Sequence, residues 1–367
     1  MTLPVLTLAA VAAAVAWANG SNDVSKGIAT LVGSGVSNER TAVAWGATWT
    51  GVGAVFAAFA TQGLIATFSG KNFLATPIRG PSFLLPVAIG AAAWIFFASR
   101  AGLPVSTTHA ITGAFAGAAI VVQGAGALHW SRLARGVVLP LALSPVIAIV
   151  LIYAVFPTLR KGLARLDRYC VCVERRAAIL PGHAGALRVV VAAGPLVASE
   201  SECRGSPAVA GRMNALEGMH WLSSAATNFA RGLNDAPKIV ALGFAASTGI
   251  ETGGLAFYLA IAVAMSAGSL AGGFRVTETL ARRVTRMSPA EGFSANLVTS
   301  LLVGGASLAA LPVSTTHVSS SAIIGIGLHR GVKTVAWSTV REMLIAWLVT
   351  LPAAGLVAAG AAVLLAS

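Results

Sequence analysis

The sequence predicts an all-α polytopic membrane protein made of two related halves, and three observations carry that prediction. Of 367 residues, 56% are hydrophobic and 10% are charged, whereas a soluble globular chain carries about 25% charged residues. The apolar residues run in continuous stretches rather than alternating, which argues for membrane helices and against an outer-membrane barrel. Two polar motifs each occur twice, in the same order, inside otherwise apolar sequence. With a polar central stretch set aside, about 310 residues remain, enough for roughly 10–12 membrane segments of about 20 residues, some of them broken. The same composition excludes a disordered chain, a disulfide scaffold and an ordinary cytosolic enzyme.

Taken in order, residues 3–37 form the first apolar stretch, interrupted by Asn19-Gly20-Ser21-Asn22-Asp23-Val24-Ser25-Lys26-Gly27. Ala16-Trp17-Ala18 has the look of a leader cleavage site, but no basic residues precede the apolar run, so it is read as a membrane segment. Stretches at 41–68, 83–99, 104–123 and 134–156 complete the first half. The segment 158–212 then holds nine basic residues (Arg160, Lys161, Arg165, Arg168, Arg175, Arg176, Arg188, Arg204, Arg212) against four acids. Basic residues crowd short cytoplasmic loops, so this segment is placed in the cytoplasm and the net charge of +13 calls for no nucleic acid. Short β-like runs at Tyr169 to Glu174 and Leu187 to Ala192 leave open either a small ordered subdomain or a loose connection.

The second half reads as stretches at 213–250, 253–273, 289–308, 312–328 and 335–365. The first of these is interrupted by Asn228-Phe229-Ala230-Arg231-Gly232-Leu233-Asn234-Asp235-Ala236-Pro237-Lys238. Glu278 and Glu291, among Arg275, Arg282, Arg283, Arg286 and Pro289, have loop composition and are read as solvated. The eight tryptophans suit membrane interfaces and packing. The organisation is an N-terminal transmembrane repeat over 1–156, a basic linker over 157–212 and a C-terminal transmembrane repeat over 213–367. Three cysteines imply no disulfide framework. Cys170, Cys172, His183 and Cys203 match no zinc spacing, so no resident metal site or cofactor is predicted.

The repeats carry the function. Leu103-Pro104-Val105-Ser106-Thr107-Thr108-His109 recurs as Leu311-Pro312-Val313-Ser314-Thr315-Thr316-His317, 208 residues later. Asn22-Asp23-x-x-Lys26 recurs as Asn234-Asp235-x-x-Lys238, 212 residues later. Matching motifs in interrupted hydrophobic segments point to a secondary transporter with its site at the repeat interface. Proline followed by hydroxyl residues starts a helix, and a helix start offers free N–H groups and a positive dipole end to an anion. Two such starts with six hydroxyls (Ser106, Thr107, Thr108, Ser314, Thr315, Thr316) would cradle a tetrahedral oxyanion. The bland alternative is a pair of ordinary capped helix starts. His109 and His317 read as packed residues that orient this turn.

Asp23 and Asp235 are carboxylates inside the membrane, which is costly and marks function by default. Beside an anion their charge must be compensated, and a co-transported cation or proton does this. Asn22 and Asn234 add neutral oxygens. Lys26 and Lys238 lie three residues after each Asp, on the same helix face. They either pair with it, which favours proton over sodium coupling, or reach the anion. Arg231 is a third candidate cation. A membrane enzyme using Ser106 or Ser314 with a histidine is disfavoured, because duplication suits no single nucleophile. A passive channel is disfavoured because two charged broken helices suit alternating access.

These motifs resemble those of the inorganic phosphate transporter (PiT) family, the phosphate permeases, over both halves and most of the chain. The resemblance implies inverted repeats with re-entrant hairpins and import of inorganic phosphate by symport with a proton or sodium. It also suggests a homodimer. Composition predicts a multi-pass protein of the plasma membrane, and the short loops the inner membrane of a bacterium. Carried over, Ser106, Thr107, Thr108, Ser314, Thr315 and Thr316 hold the phosphate; Lys26 and Lys238 join them as candidates on their charge and position alone. Asn22, Asp23, Asn234, Asp235 and Asn296 hold the coupling cation, with sodium as the candidate metal ion. The lysines replace an asparagine usual in the family. Asn296 stands where sodium-coupled members often carry Glu. Sulfate is the alternative cargo for the same machine.

Overall fold

Every apolar stretch read above contains a helix in the computed structural model, which describes residues 3–68, 74, 80–181, 187–205, 209–244 and 254–366. The first half comprises α1 (Leu3–Asp23), α2 (Ser25–Gly33), α3 (Glu39–Ala60), α4 (Gln62–Phe68), α5 (Pro81–Arg100), α6 (Thr107–Gln123), α7 (Trp130–Leu133) and α8 (Leu139–Leu166). A three-stranded unit follows: β1 (Tyr169–Pro181), β2 (Leu187–Ser199), α9 (Glu200–Gly205) and β3 (Val209–Asn214). The second half comprises α10 (Ala215–Phe244), α11 (Leu255–Gly272), α12 (Phe274–Arg282), α13 (Pro289–Leu308), α14 (Thr315–Arg330) and α15 (Trp337–Ala366). Five of the described helices are long and apolar enough to cross a membrane by themselves. Of the other helices, α1, α6, α10 and α14 carry the polar motifs.

Local chemistry explains the boundaries. Asn38 caps α3 by accepting from Thr41 N–H at 2.9 Å. Pro81 and Pro289 sit in the first turn of α5 and α13, where their missing N–H costs nothing. Ser288 and Glu291 form a capping box at the start of α13. That corrects the reading of Glu291 as solvated: it is 8% exposed, tied to Ser288 N–H at 2.7 Å and to Arg330 at 3.6 Å. Glu278 is exposed as expected, but lies on helix α12 rather than in a loop.

The interruption at Asn22–Lys26 divides α1 from α2 at Val24 alone, whose backbone stays helical (φ −56°, ψ −32°). The one at Asn228–Lys238 is chemical only: α10 runs through it without a break, with Pro237 inside.

The halves are interlocked rather than laid side by side. Helix α1 packs on α11 of the second half, and α10 packs on α3 of the first. The α5–α6 hairpin packs on α15, and the α13–α14 hairpin packs on α8. These contacts are backbone-close. A Cβ at Gly20 would collide with the Met265 carbonyl, and one at Gly53 with that of Phe229.

The linker is ordered over its described residues. β1 is central in an antiparallel sheet of order β2-β1-β3, pairing Cys170 with Ala198 and with Asn214. Helix α8 runs on to Leu166 before the sheet begins, and β3 leads directly into α10. His183 lies outside the described residues.

Candidate substrate and ion-coupling site

The tips of the two hairpins and the polar turns of α1 and α10 meet in the interior. Every candidate residue, Asn22, Asp23, Lys26, Ser106, Thr107, Thr108, Asn234, Asp235, Lys238, Asn296, Ser314, Thr315 and Thr316, is at most 3% exposed. The arrangement is therefore a closed one.

The hairpin tips are built alike. Ser106 and Ser314 are the N-caps of α6 and α14, with nearly the same backbone angles (φ −94°, ψ 117° and φ −99°, ψ 111°). Each hydroxyl accepts from the histidine N–H three residues on, at 3.3 and 3.2 Å. Both serines thus take the bland capping role named above. The last threonines cross over reciprocally: Thr108 donates to the Val313 carbonyl at 3.3 Å, and Thr316 to the Val105 carbonyl at 2.7 Å. The two tips close on each other through this exchange.

Each asparagine of the Asn-Asp pairs anchors its own hairpin. Asn22 donates to Ser99 Oγ and the Leu103 carbonyl, both at 3.0 Å, and accepts from Val105 N–H at 3.2 Å. Asn234 donates to the Val313 carbonyl and Thr315 Oγ1, both at 3.3 Å, and accepts from Ser307 Oγ at 3.2 Å. Ser99 and Ser307 were not singled out from sequence, although they stand 208 residues apart, the spacing of the hairpin motif.

The acids and bases are paired. Lys26 Nζ is 2.9 Å from Asp23 Oδ1, and Lys238 Nζ is 3.1 Å from Asp235 Oδ1. Lys26 spends its other donors on Asn22, at 2.8 Å to the carbonyl and 2.7 Å to Oδ1. Lys238 reaches across to Thr108 Oγ1 at 2.8 Å and the Val313 carbonyl at 3.1 Å. An ammonium has three donors, and each lysine has three oxygens around it. Two carboxylates and two ammoniums buried together are tolerable only because they are paired.

Two further residues join the cluster, one of them missed from sequence. Asn19 Nδ2 lies 2.9 Å from Asp23 Oδ2, 2.9 Å from Thr107 Oγ1 and 3.1 Å from Asp235 Oδ2, so one amide links both carboxylates. Thr107 also donates to Asp23 Oδ2 at 3.1 Å. Arg231 is fully buried. It donates to Thr50 Oγ1 at 2.8 Å, and its Nη1 lies 3.5 Å from the Asn19 carbonyl. Among the described residues no carboxylate lies within ion-pair distance of it, and its Nε finds no partner. Asn19 Oδ1 is likewise without a partner. Positions 19 and 231 are 212 residues apart, the spacing of the Asn-Asp motif, so the signal was present in the sequence.

Asn296 stands apart from the carboxylates. It donates to the Gly27 carbonyl at 3.0 Å, its own carbonyl accepts from Thr227 at 2.9 Å, and its Oδ1 is unpartnered. The two histidine rings pack against each other at 4.7 Å, and His317 stacks on Trp347 at 4.1 Å. His317 Nδ1 meets the Leu141 carbonyl at 3.2 Å. They are packing residues behind the tips, as read from sequence.

Counting the buried cluster, Lys26, Lys238 and Arg231 face Asp23 and Asp235, three positive groups against two negative. The site is closed, charge-paired and left with one cation whose donors are not all used.

Comparison with known proteins adds four findings. The model of the phosphate transporter family matches residues 19–358. A probable low-affinity inorganic phosphate transporter of Bacillus subtilis is 30% identical, over 95% of this chain and 94% of its own length. The chloroplastic inorganic phosphate transporter 2-1 of Arabidopsis thaliana is 28% identical, over 92% of this chain and 68% of its own. Among solved structures, a sodium-dependent phosphate transporter superposes with a TM-score of 0.78 over 100% of this chain and 99% of its own, at 19% identity, which establishes likeness of fold.

Proposed function

The chain belongs to the phosphate transporter family, and from that premise we propose that it imports inorganic phosphate in symport with a proton. The carrier site is the one just described, at the interface of two inverted repeats. The observation that carries this reading is the charge count of the buried cluster. With each aspartate already neutralised by its own lysine, the excess charge belongs to Arg231, and an excess cation in a desolvated site favours an anion.

Phosphate takes the donors that now close the hairpin tips on each other. In the proposed cycle, the hydroxyls of Thr107, Thr108, Thr315 and Thr316 and the Arg231 guanidinium turn to the phosphate oxygens. That breaks the reciprocal Thr108–Val313 and Thr316–Val105 bonds, so binding and opening are coupled. Thr107 is the link to the cation side, because it already bonds Asp23. A proton arriving on Asp23 or Asp235 would loosen its lysine and add a donor for phosphate. A sodium ion would instead need the carboxylate oxygens that the lysines and Asn19 now occupy.

Labelled phosphate uptake into proteoliposomes, with proton and sodium gradients imposed separately, tests this. Accumulation driven by the proton gradient alone is expected, with sulfate failing to compete. Uptake that requires sodium would overturn proton coupling. Accumulation of labelled sulfate without phosphate would overturn the cargo.

A further inference from the structure

The transport site uses none of the three cysteines, yet the fold brings all three together. Cys170 and Cys172 are two apart on β1 and so face the same side of the sheet. Helix α9, between β2 and β3, lays Cys203 over that side. The three sulfur atoms all lie within 4.8 Å of one another, with Cys170 and Cys172 Sγ at 3.3 Å. The residues are 0%, 1% and 3% exposed. Cys203 is paired with both Cys170 and Cys172. A sulfur makes only one disulfide, so this is a convergent triad, not a bridge with a spectator.

We propose that Cys170, Cys172 and Cys203 bind one thiophilic metal ion, Zn²⁺ or Cu⁺, that clips α9 onto the linker sheet. Three thiolates are a soft donor set, which selects these ions over sodium, magnesium or calcium. A metal–sulfur distance of about 2.3 Å in a trigonal set separates the sulfurs by about 4 Å, wider than the 3.3 Å between Cys170 and Cys172 Sγ, so an entering ion spreads the three sulfurs apart. The basic linker belongs on the cytoplasmic side by its charge, where thiols stay reduced and such clusters hold metals rather than disulfides. Arg212 stands opposite Cys172 in the β1–β3 register, placing positive charge near a thiolate-rich centre. The spacing in the sequence hides the site because its third ligand comes from a separate helix.

The test uses the purified full-length protein, reduced and desalted without oxygen, titrated with Co²⁺. Thiolate-to-cobalt charge-transfer absorption saturating at one ion per chain is expected, and Zn²⁺ or Cu⁺ bleaches it. Cys172→Ser and Cys203→Ser each abolish the absorption while still eluting as a single species. Elemental analysis of the untreated protein then finds zinc or copper near one per chain and says which is native. Should a variant fail to fold, the wild-type elemental analysis and cobalt titration still decide. Absence of both metal and cobalt absorption in the wild type overturns the proposal. So does thiol counting that gives one disulfide and one free thiol in protein isolated under reducing conditions.

Discussion

The two halves of the site do the same scaffolding work and differ in their charges. Asn22 holds Ser99 and Leu103 as Asn234 holds Ser307 and Val313, and Thr108 and Thr316 exchange bonds across the tips. The differences fall at two places. Position 19 is a neutral amide bridging both aspartates, whereas its counterpart is Arg231. Lys26 is satisfied within its own turn, whereas Lys238 reaches across to Thr108. Duplication thus supplies a symmetric scaffold, and the asymmetric residues leave it with one buried cation, Arg231, outside the two ion pairs.

Breaking one ion pair should have the largest effect. Asp23→Asn or Asp235→Asn leaves a buried lysine unpaired and should cost about 3–5 kcal/mol of stability. Asp23→Asn combined with Lys26→Met should recover much of that loss in thermal unfolding, because no orphan charge remains. If the double variant is no better than the single, the lysine is not the partner that matters.

Arg231 comes next. Arg231→Gln should weaken phosphate uptake by about 10- to 100-fold, the worth of a hydrogen bond to a charged group at about 1.5–3 kcal/mol. Its counterpart change, Asn19→Leu, should instead lower stability, since it leaves both carboxylates short of a donor. Equal transport defects without loss of stability in both would erase the asymmetry argued here.

The threonines sharpen the comparison. Thr108→Val removes a bond to Val313 and the acceptor of Lys238, whereas Thr316→Val removes one bond only. Thermal stability should fall by about 1–3 kcal/mol in the first and about 0.5–1.5 kcal/mol in the second. The smallest effect is expected at the anchors: Ser99→Ala and Ser307→Ala should each cost about 1 kcal/mol, and nearly the same amount, because both sit at the same place in the repeat.

Much of this was legible in the chain because hydrophobic runs and helix punctuation are local. The ends of α13 fall at Pro289 and Leu308, as its composition predicted, and the hairpin caps follow from Pro-Val-Ser. What was not legible depends on chain meeting chain. Asn19 looked like part of a polar interruption, and only the fold places its amide between two carboxylates. Glu291 looked solvated because its basic neighbours hid the capping box with Ser288. The unbroken α10 could not be foreseen, since Asn234, Asp235 and Pro237 are all residues that often end helices. The cysteine triad needed α9 to fold over β1.

The interlocked packing has a consequence for synthesis. Gly20 of α1 rests against Met265, 245 residues further along the chain. At about 5–20 residues per second, that partner emerges roughly 12–50 s after α1 has left the ribosome. During this interval α1 and α2 must sit in lipid with the Asp23 carboxylate and the Lys26 ammonium aboard. Lys26 can do so because its partners, Asn22 and Asp23, are made a few residues before it. Lys238 is under no such constraint, for Thr108 was translated long before it. The earlier lysine is self-sufficient and the later one reaches across, as the order of translation allows.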